Sequence, residues 1–383
     1  MGSMLLAQPD TTFIRDVMRG GGGDLKKCFQ CATCTSVCSL STESRPFPRK
    51  QMIEAQWGLK EPLMADPAVW LCHNCGDCTT QCPRDARPAQ VMAAVRGEVI
   101  KRYAFPRFMG SLVSSPKALP LLLALPIFIL YAIAAWPLPG AAAHGWEFGF
   151  MFPQARLEEL FFAVSALVLL AYAAGVVPFV RALRAAGADG PILPALGPVL
   201  AEIVTHRRFS KCTQEKSRYS GHLLVFSGFV GLAIVGTVIG VGTMVGVMHT
   251  PLPTFGPLKI FANVCALVIL VGSLILIIDR IKDPEARSSS TYFDWFFLVV
   301  LAGAVITGVT SEGLRLAQDP TWMYPVYFVH LTLILALFLY APYSKFSHFA
   351  YRTVALAASW EGQKQGLVVK DSVATETLAE KSL

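Results

Sequence analysis

Six stretches of this chain, 118–136, 160–180, 223–248, 260–278, 295–311 and 322–344, contain no Asp, Glu, Lys or Arg. Crossing the hydrocarbon of a bilayer takes about 20 apolar residues, and a helix can cross because it satisfies its own backbone hydrogen bonds. One such run is equally well explained as a buried core helix; six in succession are not. The pattern predicts spans over about 118–136, 158–180, 221–248, 259–278, 293–311 and 322–344. Hydrophobic residues make up 54% of the 383 residues and charged ones 15%, below the roughly 25% of a soluble domain. The chain is therefore read as all-α, with residues 111–350 forming a six-helix transmembrane bundle.

Lys and Arg set the expected orientation. Segments 101–117, 181–220, 279–294 and 345–383 hold nineteen of them, whereas 137–159, 249–259 and 312–321 hold one each. By the positive-inside rule the first set faces the cytoplasm. The net charge of +7 is thus an orientation signal, and no nucleic-acid partner is expected. Residues 1–27 show neither a long apolar run nor a small-residue cleavage site, so no secretory signal is expected. The reading is a multi-pass protein of the cytoplasmic membrane, in contact with lipid, with residues 1–110 and a tail over 351–383 in the cytoplasm.

Eight of the ten cysteines fall before residue 83. Cys28, Cys31, Cys34 and Cys38 lie in CFQCATCTSVC; Cys72, Cys75, Cys78 and Cys82 lie in CHNCGDCTTQCP, the same pattern 44 residues later. This is an internal duplication. Both runs read C-x2-C-x2-C-x3-C, the spacing of bacterial two-cluster ferredoxins, in which the fourth Cys of each run ligates the other cluster. Two [4Fe–4S] clusters are expected, one on Cys28, Cys31, Cys34 and Cys82, the other on Cys72, Cys75, Cys78 and Cys38. They would sit in a small helical di-cluster ferredoxin domain over residues 1–110. Structural zinc uses two separated C-x2-C pairs per site and leaves the third Cys without a place, and a reducing cytoplasm disfavours disulfides. Ser39 stands where Pro usually follows the fourth Cys. His73 is expected to pack facing solvent, and Cys212 and Cys265, standing alone, are given no role. Helices are expected near 48–57 and 88–103, the latter with Val91, Met92, Val95 and Val99 on one face.

An ionisable side chain in or beside a span is a functional candidate. His222 opens the third span and His249 follows it; His330 lies in the sixth and His348 just past its end. Next to iron–sulfur clusters, paired imidazoles on neighbouring spans point to bis-His ligation of b-type haem. His330 and His348 are 18 residues apart, about 27 Å on a continuous helix, close to one hydrocarbon thickness. A single helix would then serve two haems, His348 paired with His222 and His330 with His249. His222 to His249 would span about 40 Å of straight helix, so unwinding near Gly246 and Pro251 is required. His144 and His206 are the substitute ligands.

A quinol is an apolar ring with two hydrogen-bonding oxygens and needs an interfacial site beside a haem. Lys259 opens the fourth span on the far side, and Glu158, Glu159 and Glu312 on that face are candidate proton acceptors. The plainer account is that Lys259 snorkels and the acids cap helices.

The two cysteine runs resemble the iron–sulfur C subunit of heterodisulfide reductase. The part after residue 110 resembles its membrane E subunit and the haem-b gamma subunit of respiratory nitrate reductase. The head-first fusion is similar to the membrane (C) subunit of quinone-interacting membrane-bound oxidoreductase complexes, over roughly residues 24–350. In the gamma subunit, which has five spans, one helix carries two haem ligands and a Lys near the start of the next helix contacts quinol; His330, His348 and Lys259 match those roles. The resemblance implies a quinol-interacting oxidoreductase subunit. It would oxidise menaquinol through two b-type haems and pass electrons through the clusters to soluble flavin and iron–sulfur partner subunits, and onward to adenylylsulfate reductase in sulfate respiration. No Gly-rich dinucleotide fingerprint follows a strand, so neither flavin nor nicotinamide is expected on this chain. A heterodisulfide reductase-like anchor using methanophenazine, and a haem-free membrane-tethered iron–sulfur sensor, are the alternative readings.

Overall fold

The structure, a computed structural model, describes residues 8–43, 45–135, 147–206, 216–283, 290–319 and 321–360. His144, Cys212 and the part of the expected tail beyond 360 lie outside the described residues. Among the described residues all regular structure is helical and no strand occurs. The chain divides into two compact units, one of Met1–Arg107, Tyr172–Glu215 and Phe346–Leu383, the other of Phe108–Ala171 and Lys216–Lys345. These boundaries differ from the expected 1–110, 111–350 and 351–383, because two segments from the membrane half of the sequence join the cysteine-bearing unit.

That unit opens with α1 (Thr11–Arg19), whose first turn is capped by the Asp10 carboxylate accepting from the Thr12 and Phe13 amides at 2.9 Å each. Short helices α2 (Thr33–Ser36), α3 (Arg49–Gln56), α4 (Lys60–Met64), α5 (Ala68–Leu71) and α6 (Asp77–Thr80) follow, then α7 (Pro88–Tyr103). Pro88 opens α7, where a missing N–H costs nothing. Val91, Met92, Val95 and Val99 are fully buried along it, as their spacing predicts. The later segments are the end of α10 (Gln154–Ala185), α11 (Ile192–Thr205) and, numbered in chain order, α16 (Ser347–Ala358). Helix α16 takes up the start of the expected tail. Its Leu356 and Ala357 pack on Ala195 and Val199 of α11, and Tyr351 stacks on Trp70 of α5 at 5.4 Å between ring centroids. Phe179 of α10 meets both rings edge-on, at 6.2 and 5.2 Å. Trp70, 1% exposed, is thus walled in by two rings distant from it in sequence, and edge-to-face and offset contacts of this kind add to plain area burial.

The second unit holds α8 (Arg107–Val113, from its second residue on), α9 (Leu119–Ile133), the start of α10, α12 (Lys216–Met244), α13 (Pro257–Lys282), α14 (Tyr292–Leu316) and α15 (Met323–Leu339). Among the described residues five stretches are long and apolar enough to cross a membrane: Pro116–Ile133, Gln154–Ala185, Ser217–Met244, Pro257–Lys282 and Tyr292–Leu316. The sixth expected span is the 17-residue α15, about 25 Å long at 1.5 Å per residue and shorter than a full crossing. It stops because Pro342 carries no N–H for a bond back to residue 338 and its ring clashes with that carbonyl. A 3-10 turn, Ala341–Tyr343, follows. The premise that one helix carries both His330 and His348 is therefore corrected: His330 lies on α15, and His348 on α16 of the other unit.

The third span ends earlier than 248. Gly246 takes a left-handed φ of 74°, its N–H reaches the Thr243 carbonyl at 3.0 Å and the Val247 N–H reaches the Gly242 carbonyl at 2.9 Å. This is a Schellman stop, for which Gly has no Cβ penalty. His249 falls beyond it, exposed.

In the first unit Glu54 is 8% exposed, with one carboxylate oxygen 3.7 Å from the Lys50 ammonium and the other buried without a hydrogen bond. Burial holds its carboxyl above the usual carboxylate range, offset only in part by Lys50. The ionised form therefore opposes folding above that raised value, and the opposition vanishes below the unfolded value. Glu54→Gln is expected to stabilise this unit by about 1 kcal/mol at pH 8 and to be neutral at pH 4. Thermal unfolding followed by Trp fluorescence at the two pH values checks this.

Candidate iron–sulfur cages and membrane sites

The duplication of the cysteine runs is repeated in the backbone. Gln30 (φ 59°) and Ala32 (φ 69°) precede α2, and Asn74 (φ 57°) and Gly76 (φ 88°), 44 residues on, precede α6. Left-handed residues turn each loop between its first and third cysteines. Asn and Gly accept that conformation readily; Gln30 and Ala32 hold it at a cost of order 1 kcal/mol each. The loops also aim donors at sulfur. The Asn74 N–H donates to Cys72 Sγ and the Ala86 N–H to Cys82 Sγ, both at 3.3 Å, and Gln30 Nε2 reaches Cys28 Sγ at 3.5 Å. Hydrogen bonds to sulfur are one of the levers that set a cluster's potential.

Cys28, Cys31, Cys34 and Cys82 line one cavity. Burial, then the neighbouring Cys28, Cys82 and Cys31, push the Cys34 thiol up to about 11. Cys38 is gathered with the second run: burial, then Cys72 and Cys75, push its thiol up to about 11, and burial with Cys72, Cys38 and Cys75 pushes Cys78 up as well. Thiols in such a setting ionise only against a strong Lewis acid. Among the described residues no three His, Cys, Asp or Glu side chains close on a single metal ion. An all-sulfur donor set spread around a cavity wall fits a group larger than one ion.

The two groups differ in access. Cys31 is exposed, and the Thr33 hydroxyl, 3.4 Å away, holds its thiol below the ordinary value. Beside it Phe29 is 68% exposed, with the Arg84 guanidinium 4.2 Å from its ring centroid. Arg49 donates to Gln30 Oε1 at 3.3 Å on the same rim. Neither arginine has a carboxylate partner among the described residues. In the second group Cys72 is 7% exposed. His73, expected to face solvent, is instead partly buried, and its Nδ1 accepts from Arg352 Nη2 at 2.9 Å. His206 ends α11 with a left-handed φ of 51°, and burial holds its imidazole below the ordinary value.

In the membrane unit, His330 Nδ1 donates to the Ala304 carbonyl of α14 at 2.8 Å, which fixes the ring and leaves Nε2 as its ligating nitrogen. Gly308 of α14 makes room for that ring, because a Cβ there would lie 2.7 Å from His330 Cε1. His222 is partly buried near the start of α12. Lys259 Nζ sits 3.1 Å from Glu312 Oε2, and Arg315 Nη2 sits 3.1 Å from Glu312 Oε1. Glu158 is not part of this group; it accepts from Gln154 at 2.7 Å. Glu159 is exposed. Sequence reasoning missed Arg352, Arg49, Arg84 and Phe29. Phe29 and Arg84 lie within two residues of a cysteine and were open to suspicion; no local signal marks Arg49 or Arg352.

Residues 24–86 match the family model of the 4Fe-4S dicluster domain. The chain is 38% identical over 93 residues to the C subunit of the H(2):CoB-CoM heterodisulfide,ferredoxin reductase of Methanothermobacter thermautotrophicus, which is 24% of this chain and 50% of that protein. It thus spans about half the length of that relative. It is 28% identical over 182 residues to the E subunit of the dihydromethanophenazine:CoB--CoM heterodisulfide reductase of Methanosarcina thermophila, covering 44% of this chain and 68% of the relative. Citrate utilization protein B of Escherichia coli is 27% identical over 324 residues, 77% of this chain and 82% of that protein. No solved structure matches. The chain, a multi-pass, membrane-associated protein, fuses a 4Fe-4S dicluster domain like that of heterodisulfide reductase C subunits to a membrane region like that of their E subunits.

Proposed function

We propose that this chain is the membrane electron-transfer subunit of a respiratory complex: it oxidises menaquinol through haem b and delivers the electrons, by way of two [4Fe–4S] clusters, to soluble flavin and iron–sulfur partner subunits. One observation carries the reading. Eight thiols gather into two crossed groups on the same polypeptide that presents His330, oriented by a backbone carbonyl, among apolar helices. Cys28, Cys31, Cys34 and Cys82 would hold one cluster, and Cys72, Cys75, Cys78 and Cys38 the other. His330, His222, His348 and His249 are the haem ligands in this reading, with His249 the weakest because it lies outside its helix. These groups, once bound, supply one-electron exchange. Residues 1–110 and the tail over 351–383 face the cytoplasm in this reading, by the excess of Lys and Arg in the segments on that side, and adenylylsulfate reductase is the proposed downstream acceptor in sulfate respiration.

The chain's own side chains handle the quinol. Lys259 donates a hydrogen bond to one quinol oxygen. Glu312, paired with both Lys259 and Arg315, takes the proton at Oε2 as the Lys259 ammonium turns to the ring oxygen. Glu158 is the second candidate acceptor. Anaerobic absorption spectra with dithionite and then a menaquinol analogue test the reading; reduced b-type bands are expected. Their absence leaves the sensor reading, and a response to a phenazine analogue alone favours a heterodisulfide reductase-like anchor, the alternative that the likeness to the E subunit supports. His330→Ala is expected to lower haem content while leaving iron and sulfide unchanged. Glu312→Gln and Lys259→Ala are each expected to slow haem reduction by the menaquinol analogue ten- to a hundredfold, with reduction by dithionite unaffected.

Electrons are proposed to leave at the Cys31 rim, where a thiol is exposed beside Phe29 and two arginines without carboxylate partners among the described residues. Such a rim suits an acidic redox partner. With a reduced acidic flavodoxin as probe, Arg49→Glu/Arg84→Glu is expected to cut the low-salt rate of cluster reduction about tenfold and flatten its salt dependence. Arg15→Glu, on α1, is the control and is expected to leave the rate near wild type.

A further inference from the structure

Arg352 stands 280 residues from Cys72, yet its guanidinium is spent on the second cysteine run. Nη1 donates to the Trp70 carbonyl at 2.9 Å and to the Cys72 carbonyl at 3.0 Å. Nη2 donates to His73 Nδ1 at 2.9 Å and faces the Leu71 carbonyl at 3.5 Å. These carbonyls are the last of α5 and that of the first cysteine of the run. The end of a helix concentrates negative partial charge, and a fixed cation there is stabilising. A guanidinium only donates, so His73 must accept at Nδ1 and carry its own proton on Nε2. The adjacent Tyr351 stacks on Trp70, so α16 holds this loop at two successive positions, one apolar and one charged.

From this we infer that Arg352 is the positioning residue of the second cysteine group: its fork keeps the Cys72 loop in ligating shape, and its charge raises the reduction potential of the cluster held there. The inference rests on the proposed reading of Cys38, Cys72, Cys75 and Cys78 as a cluster site. The reduced cluster carries one more negative charge than the oxidised one, so a nearby fixed cation stabilises the reduced form more. The first cluster, on the exposed rim, receives no such contact from Arg352. Lys in place of Arg keeps the charge and loses the planar fork.

The test is an EPR-monitored redox titration of the full-length chain, with iron and sulfide analysis. A Cys31→Ser variant, which alters the first cluster, assigns the signals. Arg352→Gln is expected to lower the reduced-to-oxidised ratio of the second cluster about tenfold at fixed potential, about 59 mV for a one-electron couple, and to leave the first cluster unchanged. Arg352→Lys is expected to keep that ratio within about threefold of wild type while altering the line shape of that cluster alone. Full iron with both potentials unmoved in Arg352→Gln overturns the inference, and so do equal changes in both clusters. Should Arg352→Gln fail to accumulate, Arg352→Lys decides: a wild-type line shape and potential overturn the inference, and a change confined to the second cluster upholds it. Wild-type protein lacking iron and sulfide would sink the cluster reading itself, a separate failure.

Discussion

A peptide group in hydrocarbon has no water to bond to, and this one constraint shapes most of the chain. The uncharged stretches must satisfy their own N–H and C=O groups, so they are helices, and the places where they cease to be helices are few and chemically specific. Gly246 ends α12 in a left-handed turn and Pro342 ends the run of α15. Each stop decides what a nearby histidine can do. His330 stays inside a helix and is oriented by the Ala304 carbonyl; His249 falls past a stop and is exposed; His348 begins a new helix in the cysteine-bearing unit.

The cysteine-bearing unit meets a different problem. Its helices α2 to α6 are four to eight residues long, too short to be stable alone. They are held by a core built on α7 and by rings from far away in sequence, Phe179 and Tyr351 around Trp70. The loop before α2 carries backbone strain at Gln30 and Ala32, on either side of Cys31. Strain of this kind persists where the surrounding structure over-determines it, which is the case for a loop held at both ends by packed helices.

Charge is distributed with the same economy. Glu312 is shared between Lys259 and Arg315 in a partly buried setting, where an unpaired charge would be costly. On the rim of the first cavity Arg49 and Arg84 are left without carboxylates among the described residues, at the surface where solvent keeps the cost small. Arg352 lies between these cases: partly buried, with carbonyl dipoles of the Cys72 loop facing its charge.

Much of this was legible in the sequence, because it depends on local periodicity. The apolar stretches, the α7 face and the two thiol runs are fixed by spacing along the chain, and spacing survives folding. The backbone duplication was half legible: Asn74 and Gly76 are residues that favour a left-handed φ, whereas Gln30 and Ala32 are not. His73 is misread from local sequence because its partner is 279 residues away. The break between His330 and His348 escapes a count of uncharged residues, because Pro342 adds to the run while acting as a helix stop. By itself the sequence determined helix, membrane and sulfur chemistry, since hydropathy and ligand spacing act within a turn or a loop. Only the tertiary structure decided that α16 packs on α5, that Arg352 holds the Cys72 loop and that Lys259 shares Glu312 with Arg315. Those contacts join segments whose separation no local pattern encodes, and packing alone brings them together.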